Sequence, residues 1–413
     1  MLKTIKLALP GALFAGALGL ALAWPGTGSA QTKEVKIALI VPLSGPWARM
    51  GELERAGAEL AIEHINNAGG IKALGGAKMK LVISDAGDNA EKAKNAAQRV
   101  LAQEPDLVGG LGAWLSSFTL AVTEVTERAE LPWLTLSYSD QITARGFHYV
   151  FQTSPTGADQ AEKALPTILE LAQSATGHQP TSVGIIMDNT AASVSFAKPM
   201  RGGGLEKAGI KLLVDETFTP PLSDATPLVQ KVRAAKPDFL FLLPTAVSDD
   251  KLLLEKLSEM GLSRGKLPVV GNGAHMAASE LRLTAGKEIM EGVLVTLANW
   301  GGKGQEKLVE EFKKRTGEPW MTQDSLSPYG HVWILKEALE KAGVADRRKV
   351  ADAIRAMDTT EGPARFYPGG RLKFDDKGRR VGAPLVIVQW RNGEPIPVSP
   401  PALAVAQPIW TGH

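Results

Sequence analysis

The chain of 413 residues carries 46 Lys and Arg against 44 Asp and Glu, and it contains no cysteine. This balance gives no reason to expect a nucleic acid or a membrane surface as partner, and the lack of cysteine excludes disulfides, thiolate metal sites and cysteine catalysis. The length exceeds that of one typical hydrophobic core, so two domains are expected.

The first 30 residues have the pattern of a secretory signal peptide. Lys3 and Lys6 are followed by the apolar segment Leu7–Ala23, and small residues up to Ala30 form a cleavage site. A membrane anchor is the alternative, but the apolar segment spans only about 17 residues and contains Pro10. No cysteine follows that could carry a lipid. We therefore expect an exported, soluble protein that is cleaved near Ala30.

From residue 35 onward, apolar runs alternate with segments of helical spacing. Continuous apolar runs are typical of buried parallel strands, and the alternation predicts two successive α/β units of about 120 residues each. The predicted strands are Val35–Leu43, Met79–Ser84, Leu107–Val108, Leu131–Leu136, Tyr149–Thr153, Ser182–Met187, Ile210–Val214, Asp238–Leu243, Leu267–Gly271 and Gly292–Thr296. The predicted helices between them are Gly51–Asn67, 88–103, one led by Ser116, Gly157–Ser174, Ala192–Gly209 (weakened by its prolines and glycines), Thr226–Ala235 and Asp249–Met260.

The C-terminal part is less regular. Its predicted elements are the helices Lys307–Thr316, Pro328–Ala342 and Arg348–Met357 and the strands Arg371–Phe374 and Leu385–Trp390. Residues 395–413 are rich in proline and are expected to form an extended tail.

The stretch from residue 107 to residue 140 holds the most interpretable chemistry. A strand runs into Gly109–Gly112, and Ser116 and Ser117 then open a helix. The next strand ends in Ser137-Tyr138-Ser139-Asp140, so both polar turns lie at the same sheet edge. A helix N-terminus offers unpaired N–H groups and partial positive charge, and it can hold a carboxylate without Lys or Arg. The alternative is that these serines serve only as a helix cap and a turn.

Several stretches together resemble the periplasmic solute-binding proteins of ABC importers, specifically the leucine/isoleucine/valine-binding type. The stretches are 36–51, 56–71, 85–101, 110–137 and 239–245, and the resemblance covers essentially the whole mature chain. It implies an α/β fold of the type I periplasmic binding proteins: two doubly wound parallel-sheet domains joined by a three-segment hinge, with the ligand in the cleft. The implied boundaries are 33–153 with 298–385 for the first lobe, 154–297 with 386–400 for the second, and 401–413 for a tail.

The resemblance also implies where the ligand binds. The first-lobe positions that match the family's binding loops are Met50, Ser116, Ser117, Ser137, Tyr138 and Ser139, of which the last five would hold a carboxylate. The matching second-lobe loops are Asp188–Ala192, Pro244–Val247 and Gly271–His275, with Asp188, Thr245, Asn272 and His275 as candidates.

One departure from the family pattern bears on the ligand. Amino-acid binders of this type place an acid on the last of these loops to pair with the ligand ammonium, and residues 271–276 contain none. Asp188 and Asp140 are candidate substitutes, but neither lies at the matching position. Trp47 and Trp114, with Tyr138, could contact an apolar ligand, or they could serve only in packing. We therefore expect a carboxylate without an α-amino group, aromatic or hydrophobic. A branched-chain amino acid or amide is the alternative.

Two other classes of function compete with transport. An enzyme is not favoured, because Ser263 and Lys266 form an isolated S-x-x-K match and the histidines show no metal-ligand spacing; only His275 lies on a cleft loop, where it could hydrogen-bond a ligand. The second alternative is that the protein senses a ligand as the soluble partner of a receptor kinase. A receptor itself would be expected to continue beyond His413 into a membrane helix. We expect no cofactor and no metal, a monomer, and a membrane permease with its ATPase as partners.

Overall fold

The computed structural model describes residues 34–410, so the signal-peptide prediction lies outside the described residues. A five-stranded parallel sheet, ordered β2-β1-β3-β4-β5, forms the centre of what we call the first lobe. Its strands are β1 (Glu34–Val41), β2 (Lys78–Asp85), β3 (Gly109–Gly112), β4 (Trp133–Thr135) and β5 (Val150–Gln152). The apolar run of β1 is explained by its position, because it lies inside the sheet between β2 and β3.

Helices cover both faces of this sheet. They are α1 (Ala48–Asn67), α2 (Ala90–Gln103), α3 (Ser116–Arg128) and α4 (Gln141–Ala144). In α1, Met50, Leu53, Leu60 and Ala61 are buried, which is the spacing of an apolar helix face. The prediction placed Met50 on a loop before the helix and is wrong in this detail, since α1 begins three residues earlier than its apolar pattern indicated.

A seven-stranded sheet, ordered β14-β13-β10-β9-β8-β6-β7, forms the centre of the second lobe. Its parallel strands are β6 (Ser182–Asp188), β7 (Lys211–Phe218), β8 (Phe239–Leu243), β9 (Val269–Asn272) and β10 (Leu294–Leu297). The helices between β5 and β10 are α5 (Gly157–Thr176), α6 (Ala191–Pro199), α7 (Leu205–Lys207), α8 (Thr226–Ala235), α9 (Val247–Glu259), α10 (Ser279–Thr284) and α11 (Lys287–Met290). The predicted weakness between residues 192 and 209 is confirmed, because a π-helical turn at Met200–Gly204 follows Pro199.

The chain then returns to the first lobe before it completes the second. The returning elements are α12 (Glu306–Thr316), α13 (Gln323–Ala342), α14 (Arg347–Arg355) and the small hairpin β11 (Asp358–Thr359) and β12 (Leu372–Lys373). Residues of α13 and α14 belong to the same hydrophobic core as α1 and the first sheet. The last strands, β13 (Val386–Arg391) and β14 (Glu394–Ser399), are antiparallel additions to the second sheet. The chain therefore passes three times between the lobes.

Two predictions for the C-terminal part are wrong. Residues 394–399 are the edge strand β14 rather than an extended tail, because Asn392-Gly393, both at positive φ, form a tight hairpin turn after β13. Prolines are tolerated in such an edge strand. Helix α13 begins at Gln323 rather than Pro328, since Thr322 caps it by accepting a hydrogen bond from Asp324 N.

Helix length and hydropathy also bear on membrane association. Within residues 34–410, none of the helices combines the length and the apolar character needed to cross a bilayer.

Candidate functional site

The carboxyl ends of strands from both lobes meet at one cavity. The space between the lining atoms amounts to about 430 Å³, which includes open solvent. Its lining consists of apolar and neutral polar side chains plus one histidine: Trp114, Leu115, Ser116, Leu136, Ser137, Tyr138, Ala192, Ser193, Leu243, Thr245, Asn272, Gly273, Ala274, His275 and Gln323.

A larger groove lies elsewhere, along the outer side of α5 and the turn after α6. It encloses about 1210 Å³ including open solvent, and surface residues such as Glu162, Glu170 and Lys207 line it. No predicted site residue belongs to it. We therefore take the interlobe cavity as the candidate site, because it joins the ends of parallel strands.

Seven of the predicted site residues line this cavity, and five do not. The seven are Trp114, Ser116, Ser137, Tyr138, Thr245, Asn272 and His275. Met50 is buried in the first core, and Trp47 packs edge-on against Phe118 with its Nε1 donating to Thr245 Oγ1 at 3.3 Å. Ser117 lies outside the lining, where its Oγ accepts a hydrogen bond from Ala191 N at 3.4 Å across the lobes.

The turn between β3 and α3 directs Trp114 into the cavity. Gly112, Ala113 and Trp114 have consecutive positive φ angles of 108°, 68° and 47°. Such angles are costly for the two non-glycine residues, and strain of this kind concentrates at binding sites. Glycine is required first, because a Cβ at position 112 would lie 2.6 Å from Ile40 O. Trp114 Nε1 then donates to Asp324 Oδ1 at 3.0 Å.

Ser116 is the best-positioned donor for a ligand. Its Oγ accepts hydrogen bonds from the backbone N–H groups of Tyr138 at 3.1 Å and Ser139 at 3.0 Å. Because both bonds use the lone pairs of the oxygen, the hydroxyl proton is available to an acceptor in the cavity. The backbone N–H groups of Ser116 and Ser117 precede the first bond of the helix, which runs from Phe118 N to Leu115 O. The turn and helix end therefore form an anion-binding arrangement.

The two neighbouring polar residues predicted to hold the carboxylate have other partners. Ser137 Oγ donates to Trp114 O at 2.6 Å and contacts the hydroxyls of Thr119 and Thr135, so it stabilises the β3–α3 turn. Ser139 Oγ accepts from Gln141 N at 3.3 Å, at the start of the short helix that follows. The hydroxyl proton of Ser137 is thus already used, and Ser139 lies outside the cavity lining.

Tyr138 is linked to a residue that sequence reasoning missed. Its hydroxyl donates to Gln323 Oε1 at 2.7 Å, and Ala298 N donates to the same oxygen at 2.9 Å. Burial raises the pKa of Tyr138, so its hydroxyl stays protonated. Gln323 and Asp324 arrive with the first turn of α13, after the second passage between the lobes. The signal that could have located them is the cap sequence Thr322-Gln323-Asp324.

Two buried acids lie behind the first-lobe wall. Burial raises the pKa of Asp324 to about 6, although the bond from Trp114 Nε1 lowers it. Burial, with the nearby Asp324 charge, raises the pKa of Glu54 well above its ordinary value. Within the described residues, neither carboxylate oxygen of Glu54 nor Asp324 Oδ2 has a hydrogen-bond partner. Neither acid lines the cavity.

Asp188 and Asp140, the candidate substitutes for the missing acid, are both hydrogen-bonded to other groups. Asp188 Oδ1 accepts from Thr190 N and Oγ1, and its Oδ2 accepts from Thr245 Oγ1 at 2.6 Å. Asp140 accepts from Ser195 Oγ and from Ala158 N. Neither lines the cavity, so neither offers a free carboxylate to a ligand.

On the second-lobe wall, the polar side chains of Asn272 and His275 form hydrogen bonds within the protein. Asn272 Nδ2 donates to Gln160 Oε1 at 2.8 Å and to Thr296 Oγ1 at 2.9 Å. His275 Nδ1 lies 2.6 Å from Asp250 Oδ2, and Nε2 lies 3.0 Å from Asn272 O. Both ring nitrogens of His275 therefore have partners within the protein, and its hydrogen bond to a ligand stays a prediction.

Several polar contacts close the cleft around the cavity. Arg49 pairs with Glu280 of the second lobe and, at 2.5 Å, with Glu318. Ser279 Oγ donates to Glu318 Oε2 at 2.9 Å. On the opposite side, Asp140 N donates to Ser195 Oγ at 3.0 Å. These contacts hold the two lobes together at the rim, while the aromatic residues meet deeper in the cleft.

A family model of periplasmic binding proteins matches residues 34–395. The chain therefore belongs to the periplasmic binding protein family, as the resemblance in its sequence predicted. Among curated proteins, the Leu/Ile/Val-binding protein homolog 7 of Brucella melitensis biotype 1 is 28% identical over 383 residues, which cover 91% of this chain and 93% of that protein.

Solved structures share the fold. The branched-chain amino acid transporter substrate-binding protein LivJ from Streptococcus pneumoniae, in complex with isoleucine, is 20% identical, covers 88% of this chain and all (100%) of its own, and has a TM-score of 0.75. An ABC transporter solute-binding protein from R. palustris in complex with benzoate is 17% identical, covers 89% of this chain and 96% of its own, and also has a TM-score of 0.75. The predicted α/β fold with parallel-sheet domains is confirmed.

Proposed function

We propose that this protein captures a small carboxylate without an α-amino group, with an aromatic or other apolar body, in the interlobe cavity. It then delivers this ligand to the membrane permease of an ABC importer. Ser116, the N-terminus of α3, Trp114 and Tyr138 form the ligand-binding wall of the first lobe. Thr245, Asn272 and His275 form the wall of the second.

The observation that carries this proposal is the hydrogen bonding of Ser116. Its oxygen already accepts two backbone N–H groups, so its hydroxyl can only donate to the ligand. The adjacent N–H groups of Ser116 and Ser117 are donors as well, beside the positive end of the α3 dipole. Three donors of this kind suit a carboxylate, and they require no positively charged side chain from the first lobe.

The rest of the lining favours an uncharged, apolar ligand body. Among the described residues that line the cavity, none is Asp, Glu, Lys or Arg. A buried ammonium group would have no partner there and would be costly. The structural relative that holds benzoate supports this class of ligand, since the two proteins share a fold.

A branched-chain amino acid is the second candidate, and one observation favours it. Asp324 Oδ2 has no hydrogen-bond partner within the described residues and lies directly behind Trp114. A movement of Trp114 would expose this carboxylate to a ligand ammonium. The structural relative with isoleucine and the curated Leu/Ile/Val-binding homologue support this reading.

A ligand panel separates the two candidates. The chain from Gln31 onward is tested by thermal shift and then by titration calorimetry with benzoate, phenylacetate, hexanoate, leucine, isoleucine and phenylalanine. A ligand at 100 times its Kd stabilises the fold by about 2.7 kcal/mol, which is readily measured. We expect responses to the acids without an amino group. A response confined to the amino acids would overturn the proposal and direct attention to Asp324.

The remaining features of the proposed function concern the whole protein. We propose lobes of residues 33–153 with 298–385 and of 154–297 with 386–400. The hydrophobic cores support this division, and among their buried residues only Ala246, Ala278, Trp300 and Leu385 cross it. Ligand capture closes the lobes by a hinge motion. The protein acts in the periplasm as a monomer after cleavage near Ala30, without catalysis or a cofactor, and its partners are a permease and its ATPase.

A further inference from the structure

The second-lobe wall contains a histidine whose two ring nitrogens both face acceptors. Asn272 O can only accept a hydrogen bond, so His275 Nε2 must carry a proton. Nδ1 faces Asp250 Oδ2 at 2.6 Å, and the proton between them belongs to the stronger base. Imidazole ordinarily binds a proton more tightly than a carboxyl group by roughly 2.6 pH units. This arrangement of acceptors favours a doubly protonated imidazolium paired with a carboxylate.

The position of Asp250 supports this distribution of charge. Asp250 lies in the first turn of α9, where the helix dipole favours a carboxylate. Burial lowers the pKa of His275, but the Asp250 charge and hydrogen bond outweigh it, so that the pKa of the ring is raised. The pKa of Asp250 is itself raised by burial, and the His275 charge opposes this.

The loop is built to hold the ring in this orientation. Gly273 has a φ of 108°, and a Cβ at this position would lie 2.6 Å from His275 Nε2. Only glycine therefore allows the imidazole to fold back onto Asn272 O. The ring then meets Trp114 of the first lobe edge to face, with centroids 6.3 Å apart and an interplanar angle of 87°.

The positive end of the pair faces the cavity. His275 lines the cavity, whereas Asp250 does not. The other charged groups near the ring also lie behind the lining: Asp324 behind Trp114, and Asp188 behind Thr245, where it faces Asp250. A ligand therefore meets the imidazolium at closer range than it meets any of the three carboxylates.

We propose that His275 determines the charge of the ligand: as a buried imidazolium held by Asp250, it favours anionic ligands and disfavours ligands that carry an ammonium group. This inference rests on the proposed function and names the residue that enforces it. His275 acts through its charge and not through a hydrogen bond to the ligand. His275 lies on the loop where amino-acid binders of the leucine/isoleucine/valine-binding type place an acid.

The first test compares ligands of one shape and different charge. Calorimetry measures the Kd of benzoate and of its neutral analogue benzamide at pH 7.5, for the wild type, for His275→Gln and for the exposed control His178→Gln. We expect the wild type and the control to prefer benzoate by at least about tenfold. His275→Gln should lose most of this preference while its benzamide affinity changes by less than about threefold, which a merely structural role would not produce.

A second measurement does not depend on the ligand. The ¹⁵N shifts of the His275 ring in the ligand-free protein report the protonation of each nitrogen, and we expect both to be protonated at pH 7.5. In Asp250→Asn, which keeps the side-chain shape, the ring should become neutral and the benzoate preference should fall at pH 7.5 and return near pH 5.5. A neutral ring in the wild type would overturn the inference even if the Gln variant did not fold.

The outcomes also separate this inference from the proposed function. If benzoate binds but the preference over benzamide survives His275→Gln, the inference fails and the proposed function stands. If the wild type binds leucine and not benzoate, the proposed function fails, and selection of anions by His275 fails with it.

Discussion

The two walls of the cavity use different physical means. The first-lobe wall offers neutral donors, namely the Ser116 hydroxyl and the N–H groups at the start of α3, and it keeps its acids out of reach behind Trp114. The second-lobe wall presents one side of a buried ion pair, His275 with Asp250. Directed hydrogen bonds recognise the shape of a carboxylate, whereas a fixed charge recognises only its sign. Under the two proposals, the first lobe would orient the ligand and the second lobe would select its charge.

The largest expected effect is the contribution of Asp324 to the pH dependence of folding stability. Because the pKa of Asp324 is raised from 3.8 to about 6, the folded protein binds this proton more tightly than the unfolded chain does. The resulting stabilisation is complete below about pH 3.8 and is lost as the pH rises through about 6. It amounts to about 3 kcal/mol, since each pKa unit corresponds to about 1.4 kcal/mol. Asp324→Asn should remove this part of the pH dependence, as measured by denaturant unfolding between pH 4 and pH 8.

The same variant tests whether Asp324 takes part in ligand binding. If Asp324 only lies behind Trp114, Asp324→Asn should change benzoate affinity by less than about threefold. A loss of leucine binding in this variant would instead identify Asp324 as an ammonium partner. An unchanged pH profile of stability would mean that the Asp324 carboxyl is not buried as described.

The next effect concerns the donor on which carboxylate binding depends. Ser116→Ala removes the hydroxyl and leaves the N–H groups of Tyr138 and Ser139 without their acceptor. The loss of the hydroxyl donor, and of the two contacts that position the turn beside it, should weaken benzoate binding by about 2 kcal/mol, or roughly thirtyfold. Calorimetry with Ser174→Ala, an exposed helical serine, provides the matched control. Equal affinities of the two variants would contradict the role assigned to Ser116.

A smaller effect is expected at the rim. Asp140→Ala removes the acceptor of Ser195 Oγ and Ala158 N, and thereby one contact that closes the lobes. Because the site itself is unchanged, the affinity for benzoate should fall by about fivefold through faster dissociation, with little change in the association rate. Stopped-flow tryptophan fluorescence measures both rates, and Asp376→Ala, an exposed acid, is the control. A slower association with unchanged dissociation would argue against a role in closure.

The smallest effect is expected at Trp47. Trp47→Phe keeps the contact with Phe118 and loses the bond from Nε1 to Thr245 Oγ1, which is long at 3.3 Å. Its net contribution should be about 0.5–1 kcal/mol. Calorimetry should therefore show at most a fivefold weaker benzoate affinity. A loss much larger than this would mean that the Trp47 ring contacts the ligand directly.

Much of the first wall could be predicted from sequence because its parts are close in the chain. The glycine-rich bend, Ser116 and the polar turn after β4 fall within one β-α-β unit, and parallel strands bring them to one edge. Gln323 and Asp324 could not be located in this way. They contact Tyr138 and Trp114 across 185 and 210 residues of chain, and only the return to the first lobe brings them there.

The second wall shows a different limit of sequence reasoning. The position of His275 on a cleft loop was predicted, but its charge was not. The charge depends on Asp250, which lies in the first turn of α9, 25 residues earlier, and on a backbone carbonyl whose direction no residue type specifies. Likewise Ser137 and Asp188 were predicted as ligand groups from their positions, while their hydrogen-bond partners were visible only in three dimensions.

The ion pairs of Arg49 with Glu280 and Glu318 have a consequence for unloading. Their side chains remain partly exposed, between 15% and 32%, and pairs of this kind contribute about 0–1 kcal/mol each. Pairs this weak add little to closure, so under the proposed function the bound molecule would contribute to the free energy that keeps the cleft closed. Under the proposed function, the shape of the protein would depend on whether the ligand is bound. A permease that recognises only the closed shape would then not start a transport cycle with the empty protein.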